Sequence, residues 1–154
     1  VIYGPGEYEV AGIFITGVRT YHDDKQGQER GVNTVYVVEF DDLILCHLGA
    51  LGHIPTQEQI EELGELADID VLLVPVGGRT VLTGARAAEV VALLEPRIVI
   101  PMHYKVLGLH TEGETASRFL REMAIEQPQT VDVLRMTKTQ LPEQTTVVLL
   151  DVAS

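Results

Sequence analysis

The sequence predicts an α/β (α+β) fold, a mixed β-sheet covered by helices, and three observations carry that prediction. Strand-like runs fill the first third of the chain, strands then alternate with segments of helical period from about residue 56 to 124, and two β-like runs close it. Three of the apolar strands stop abruptly in Gly, Pro or His. Leu43 to Cys46 breaks into His47, Gly49, Gly52 and His53; Val71 to Val76 breaks into Gly77-Gly78; Ile98 to Ile100 runs into Pro101-Met-His-Tyr104. Ligands in open α/β sheets bind outside the carboxyl ends of strands, so these three ends together define a candidate site.

In chain order, Tyr3-Gly-Pro-Gly-Glu7 is a tight turn by composition. Tyr8 to Val10 and Ile13 to Thr20 read as strands, with Ala11-Gly12 as a bend or two-residue hairpin turn. The second segment ends at Thr20-Tyr-His-Asp-Asp24, and Lys25 to Gly31 after it is polar, contains Gly27 and has no periodicity, which predicts an exposed loop. Asn33 to Phe40 is rich in β-branched and aromatic residues, and Asp41-Asp42 turns it back into Leu43 to Cys46 as a hairpin. Thr56 and Gln59 form a capping-box signature ahead of Ile60, Leu63 and Leu66, one face of a first helix that ends at Asp68-Ile-Asp70. A second helix starts near Thr83 with Ala88, Val91, Ala92 and Glu95 spaced for packing, and Pro96 stops it. A third spans Glu114 to Ala124 with Phe119, Leu120 and Met123 inward. Val131 to Met136 and Thr145 to Val152 are the closing strands, joined through Lys138 to Pro142.

At 154 residues, with no linker, low-complexity tract or short repeat, residues 1–154 read as a single domain large enough for a real core. The formal charge of −12 disfavours phosphate backbones, so no nucleic-acid partner is expected. No apolar run is long enough to span a membrane, and the start of the chain lacks a basic and then apolar leader pattern. The single cysteine, Cys46, allows no internal disulfide and favours a cytoplasmic setting. The chain begins at Val1 rather than Met, which suggests a processed, trimmed or N-terminally incomplete chain.

Chemistry concentrates in the five histidines, His22, His47, His53, His103 and His110. Four lie at or just past strand ends, and imidazole with carboxylate is the usual donor set for zinc and similar ions. Any one of them taken singly is more often a hydrogen-bonded structural residue. His22 has Asp23 and Asp24 beside it, and His103 leaves a buried strand with few purely structural reasons to be there. His47 alternates with Cys46 and can face the opposite side of its strand. His53 can cap its loop or orient a neighbouring ligand residue, and His110 belongs to an exposed Gly-containing loop. No Gly-x-Ser-x-Gly elbow and no P-loop occurs, Cys46 reads as a small core residue, and Glu61, Glu62 and Glu65 as a solvated helix face.

Gly4-Pro-Gly-Glu-Tyr8, Tyr21-His-Asp23, His47-Leu-Gly-Ala-Leu-Gly-His53, Val74-Pro-Val-Gly-Gly78 and Ile100-Pro-Met-His-Tyr104 form an ordered set over roughly Tyr3 to Phe119. That set resembles the small metal-dependent hydrolases of the metallo-β-lactamase superfamily, its lactonase-like branch. The resemblance implies an αββα sandwich and a one- or two-metal site at one edge. On it, His22 and His103 match metal-ligand positions, and Asp23, His53 and Ala50 lie beside the site. Two features depart from the family's pattern. Its His-x-His-x-Asp-His run, upstream of the Gly-Pro-Gly-Glu-Tyr turn, has no counterpart here, and Ala50 stands where the His-Leu-Gly-Asp motif carries a metal-binding Asp.

The expectation is a hydrolase-like protein with a degraded or incomplete zinc site. It would act, if at all, on a small ester, lactone or phosphoester through a metal-bound water, with loops Asp24 to Gly31 and Val106 to Glu114 choosing the substrate. The alternative is a non-catalytic binding or assembly module that keeps the fold and forms a homo-oligomer through an uncovered sheet edge or face. A third reading is a trimmed fragment with no function of its own.

Overall fold

The computed structural model describes residues 1–66, 68–108, 110 and 112–151, with the side chains of 64–66 left out. Its strands are β1 (Gly6–Val10), β2 (Ile13–Tyr21), β3 (Val32–Phe40), β4 (Leu43–His47), β5 (Val71–Pro75), β6 (Ile98–Met102), β7 (Gln129–Val131) and β8 (Thr146–Leu150). The helices are α1 (Gln57–Leu66), α2 (Gly84–Leu94) and α3 (Ser117–Glu122). The strands form one eight-stranded sheet in the order β1-β2-β3-β4-β5-β6-β8-β7. Neighbours from β1 to β4 are antiparallel, and those from β4 onward are parallel. The described residues thus give one sheet and one helical layer of the expected sandwich.

Local chemistry explains the boundaries. Ala11 and Gly12, then Asp41 and Asp42, all take positive φ, as two-residue hairpin turns between right-twisted strands require. The α1 capping box forms: the Thr56 amide donates to Gln59 Oε1 (3.0 Å) and the Gln59 amide to Thr56 Oγ1 (3.3 Å). Thr83 caps α2, and Glu95 ends it in the left-handed region just before Pro96.

Register decides which residues share a face. Val18 pairs Val35, Val37 pairs Cys46, Cys46 pairs Leu72 and Leu72 pairs Val99. All six are buried beneath the helices together with Leu63, Val90, Val91 and Phe119, and they make the main core. The opposite face carries a smaller cluster of Val71, Ile98, Ile100 and Val148, covered by Leu134, Met136 and Leu141 of the segment between β7 and β8. Lys138 fastens that segment through Asp70, donating to Oδ1 at 2.9 Å and Oδ2 at 2.7 Å. Farther along this face Ile15, Tyr36, Val38, Leu45 and Leu73 stay half-buried.

Three expectations need correction. The buried stripe of α2 is Gly84, Ala87, Val90 and Val91, whereas Ala92 and Glu95 are exposed, because the cap at Thr83 sets the helix phase. α3 is shorter than residues 114–124, since Glu114 is held in the loop by its amide donating to the Gly77 carbonyl (2.7 Å). Strand pairing of Val131 to Met136 stops at Val131, where the chain leaves the ladder to lay Leu134 and Met136 on the sheet. The Leu66 side chain and Val152 fall outside the described residues. Among those residues no helix is long and apolar enough to cross a membrane.

Candidate metal centre at the carboxyl edge of the sheet

β2 and β4 are both antiparallel to β3, and β4, β5 and β6 are mutually parallel, so the carboxyl ends of all four open on one edge. His22 follows β2, His47 ends β4, Gly77-Gly78 follows β5 and His103 follows β6. Backbone hydrogen bonds lock these ends together. The Leu48 amide donates to Leu73 O (3.0 Å), Gly52 to Tyr21 O (3.1 Å), Val76 to Met102 O (3.0 Å) and Leu82 to Leu51 O (3.0 Å). His103 itself has φ +54, and Gly77 backs onto it so closely that a Cβ there would lie 1.9 Å from the His103 carbonyl oxygen.

The histidines differ in how their ring nitrogens are used. Nε2 of His22 is buried with no hydrogen-bond partner, an unusual state for an imidazole and one that suits a ligand position. His53 is committed at both nitrogens: Nε2 accepts from the Tyr21 amide (3.2 Å), and Nδ1 donates to the Ile54 carbonyl (2.8 Å). It therefore ties β2 to the loop and offers no free donor to an ion. Nδ1 of His47 accepts from the Gly49 amide at 3.0 Å. Burial, reinforced by the nearby His103, depresses the His47 pKa and favours a neutral ring. That coupling brings His47 and His103 into one neighbourhood. His47 faces away from Cys46, as strand alternation predicts, and shares an edge with His103, as the three strand ends in the sequence suggest. Sequence reasoning did not single out His47 itself as a candidate donor, although its motif was the available signal. His110 is exposed.

The carboxylates are largely spent. Asp23 is 2% exposed, and its two oxygens accept four backbone amides, those of Lys25, Gly27, Glu29 and Arg30. Desolvation works to raise its pKa, but the four amides together outweigh it and hold it down to about 2. Asp23 thus organises the loop after His22. Ala50 brings only its backbone, its amide donating to Asn33 Oδ1 at 2.9 Å. Glu114 leaves Oε2 buried without a partner, close to Gly78. Among the described residues no three His, Cys, Asp or Glu side chains are grouped to hold a metal ion. This donor set does not by itself fit a complete centre: three imidazoles, His22, His47 and His103, lie at one edge, and the carboxylate that shares a cleft with His103, Glu112, is paired with Arg79.

A profile of the β-lactamase superfamily domain matches residues 1–103. A UPF0173 metal-dependent hydrolase of Pyrococcus horikoshii is 38% identical over 103 residues, 66% of this chain and 44% of that protein. A metal-dependent hydrolase of the same group in Methanopyrus kandleri is 30% identical over 127 residues, 79% of this chain and 54% of that protein. The chain spans about half the length of these curated relatives. Among solved structures, a Thermotoga maritima protein for which zinc-dependent hydrolysis has been suggested superposes with a TM-score of 0.79 at 37% identity, covering 97% of this chain and 70% of that one.

Proposed function

Because the chain belongs to the metallo-β-lactamase superfamily, we propose that it carries the part of a metal-dependent hydrolase in which His22 and His103 are metal donors and position 50 has lost its carboxylate. The observation that carries this reading is the buried, unpartnered Nε2 of His22 at the edge that also bears His103. The chemistry a zinc-type ion supplies when bound in this fold is activation of water for attack on a small ester, lactone or phosphoester. The chain's own residues hold the rest in place. His53 and Gly52 fix the end of β2 behind His22, Gly77 supports the turn at His103, and Asn33 holds the Ala50 backbone. The single buried thiol at Cys46 fits a cytoplasmic setting.

Zinc titration with elemental analysis tests the reading. Weak binding that disappears in His22→Ala and in His103→Ala, and that tightens about tenfold or more in Ala50→Asp, is the expected result. If Ala50→Asp gains no zinc affinity over the parent chain, residue 50 does not face the ion and the reading fails.

A second reading has its own observation. Phe14 and Phe40 are 54% and 59% exposed, and Ile15, Tyr36 and Val38 are only half-covered, which favours an assembly module that pairs with another copy. Light scattering at micromolar concentration distinguishes it, since a clean monomer removes obligate pairing.

A further inference from the structure

Three of the eleven lysines and arginines in this acidic chain, Arg30, Arg79 and Arg86, meet at one cleft of about 160 Å³. A neighbouring cleft of about 180 Å³ reaches His103, and the two share the wall Arg79 to Val81. Each arginine stands on a separately pinned element. Arg30 has its backbone amide held by Asp23 at 2.7 Å. Arg79 sits at the tip of the β5–α2 turn, which is closed by Gly78 N donating to Leu82 O (2.9 Å), and takes a left-handed φ of +57 that a side chain disfavours. Arg86 lies in the first turn of α2, next to the Thr83 cap.

The charges are held only loosely. Arg79 pairs with Glu112 and Arg86 with Asp24 at 3.7 Å, and all four side chains are about half exposed or more. Among the described residues no acidic side chain pairs with Arg30. Exposed pairs of this kind contribute little and exchange readily for a stronger acceptor. The three arginines line the cleft with Thr80, Thr83 and the single carboxylate Asp24, a set with an excess of cationic and hydroxyl donors that suits a planar or tetrahedral oxyanion. The net charge of −12 repels anions elsewhere, so a local basic cleft selects where one can dock.

We propose that this cleft is the anion subsite of the reaction centre, so that the substrate carries a phosphate or carboxylate seated on Arg30, Arg79 and Arg86 with its reacting bond toward His103. The proposal rests on the reading that His22 and His103 mark that centre, and it names the substrate class.

Calorimetric titration of the zinc-free chain with inorganic phosphate, and separately with acetate, tests it at low salt. Binding is expected to weaken about tenfold for each of Arg79→Gln, Arg86→Gln and Arg30→Gln, with Arg121→Gln on α3 leaving it unchanged. Tighter phosphate binding assigns a phosphate-bearing substrate, tighter acetate binding a carboxylate-bearing one, and both support the subsite. Absence of binding by either anion at about 10 mM overturns it, as does affinity that survives the combined Arg79→Gln, Arg86→Gln variant. Zinc affinity of the arginine variants is expected to match the parent, so loss of the subsite and loss of the metal reading are read separately.

Discussion

Gly52 lies directly beneath the backbone of His22: a Cβ on residue 52 would sit 2.2 Å from the His22 carbonyl oxygen and 2.4 Å from its carbon. The contact is backbone on backbone, so no side-chain rotation relieves it, and it lets the Gly52 amide reach Tyr21 O at 3.1 Å. Gly52→Ala is expected to cost about 2 kcal/mol in urea denaturation and to displace the His22 turn. Histidine NMR shifts that move at His22 in a folded variant would verify the displacement. A variant as stable as the parent would show that the loop gives way instead.

Asp23 predicts an acid dependence. Its pKa lies near 2 in the fold against an ordinary 3.8, so the carboxylate form is favoured by folding. Its contribution is complete above the ordinary value and is lost as pH falls from there through about 2. Asp23→Asn, which cannot accept the same four amides, is expected to melt several degrees below the parent at pH 6, with the gap closing by about pH 2. Melting curves across that range decide the matter, and a gap constant with pH would assign the loss to something other than the charge.

Asp70 and Lys138 make a third case. The Asp70 side chain is only 4% exposed, and it also accepts the Ile44 amide at 2.8 Å. Lys138→Met removes its cation and is expected to cost about 1–2 kcal/mol, below the usual figure for a fully buried pair because the lysine is 49% exposed. Adding Asp70→Asn should recover part of that loss, and denaturation midpoints of the two variants test it.

Local signals in the sequence located most of the sheet and both hairpins, since the Ala11-Gly12 and Asp41-Asp42 turns state their backbone requirement directly. The α1 capping box and the Thr83 and Pro96 boundaries were equally readable. What stayed hidden depended on tertiary choices. Leu134 and Met136 alternate as a strand would, yet they serve as a cover for the sheet. The α2 stripe shifted because one cap sets the phase of a whole helix. At the candidate site, His22 and His103 stood out by their place after strands, and His47 lay on a strand end grouped with theirs. The commitment of both His53 nitrogens and of the Asp23 carboxylate to main-chain groups needed the folded loops. The arginine cleft joins residues from three separate stretches and has no linear signature at all.

The loop from His47 to His53 keeps its course through main-chain groups: Leu48 N on Leu73, Ala50 N on Asn33 and Gly52 N on Tyr21. No part of that scaffold asks anything of the side chain at residue 50. A lineage can therefore exchange the side chain there by a single substitution without passing through a misfolded ancestor. The shape of this turn is thereby inherited independently of whatever residue 50 presents at the sheet edge.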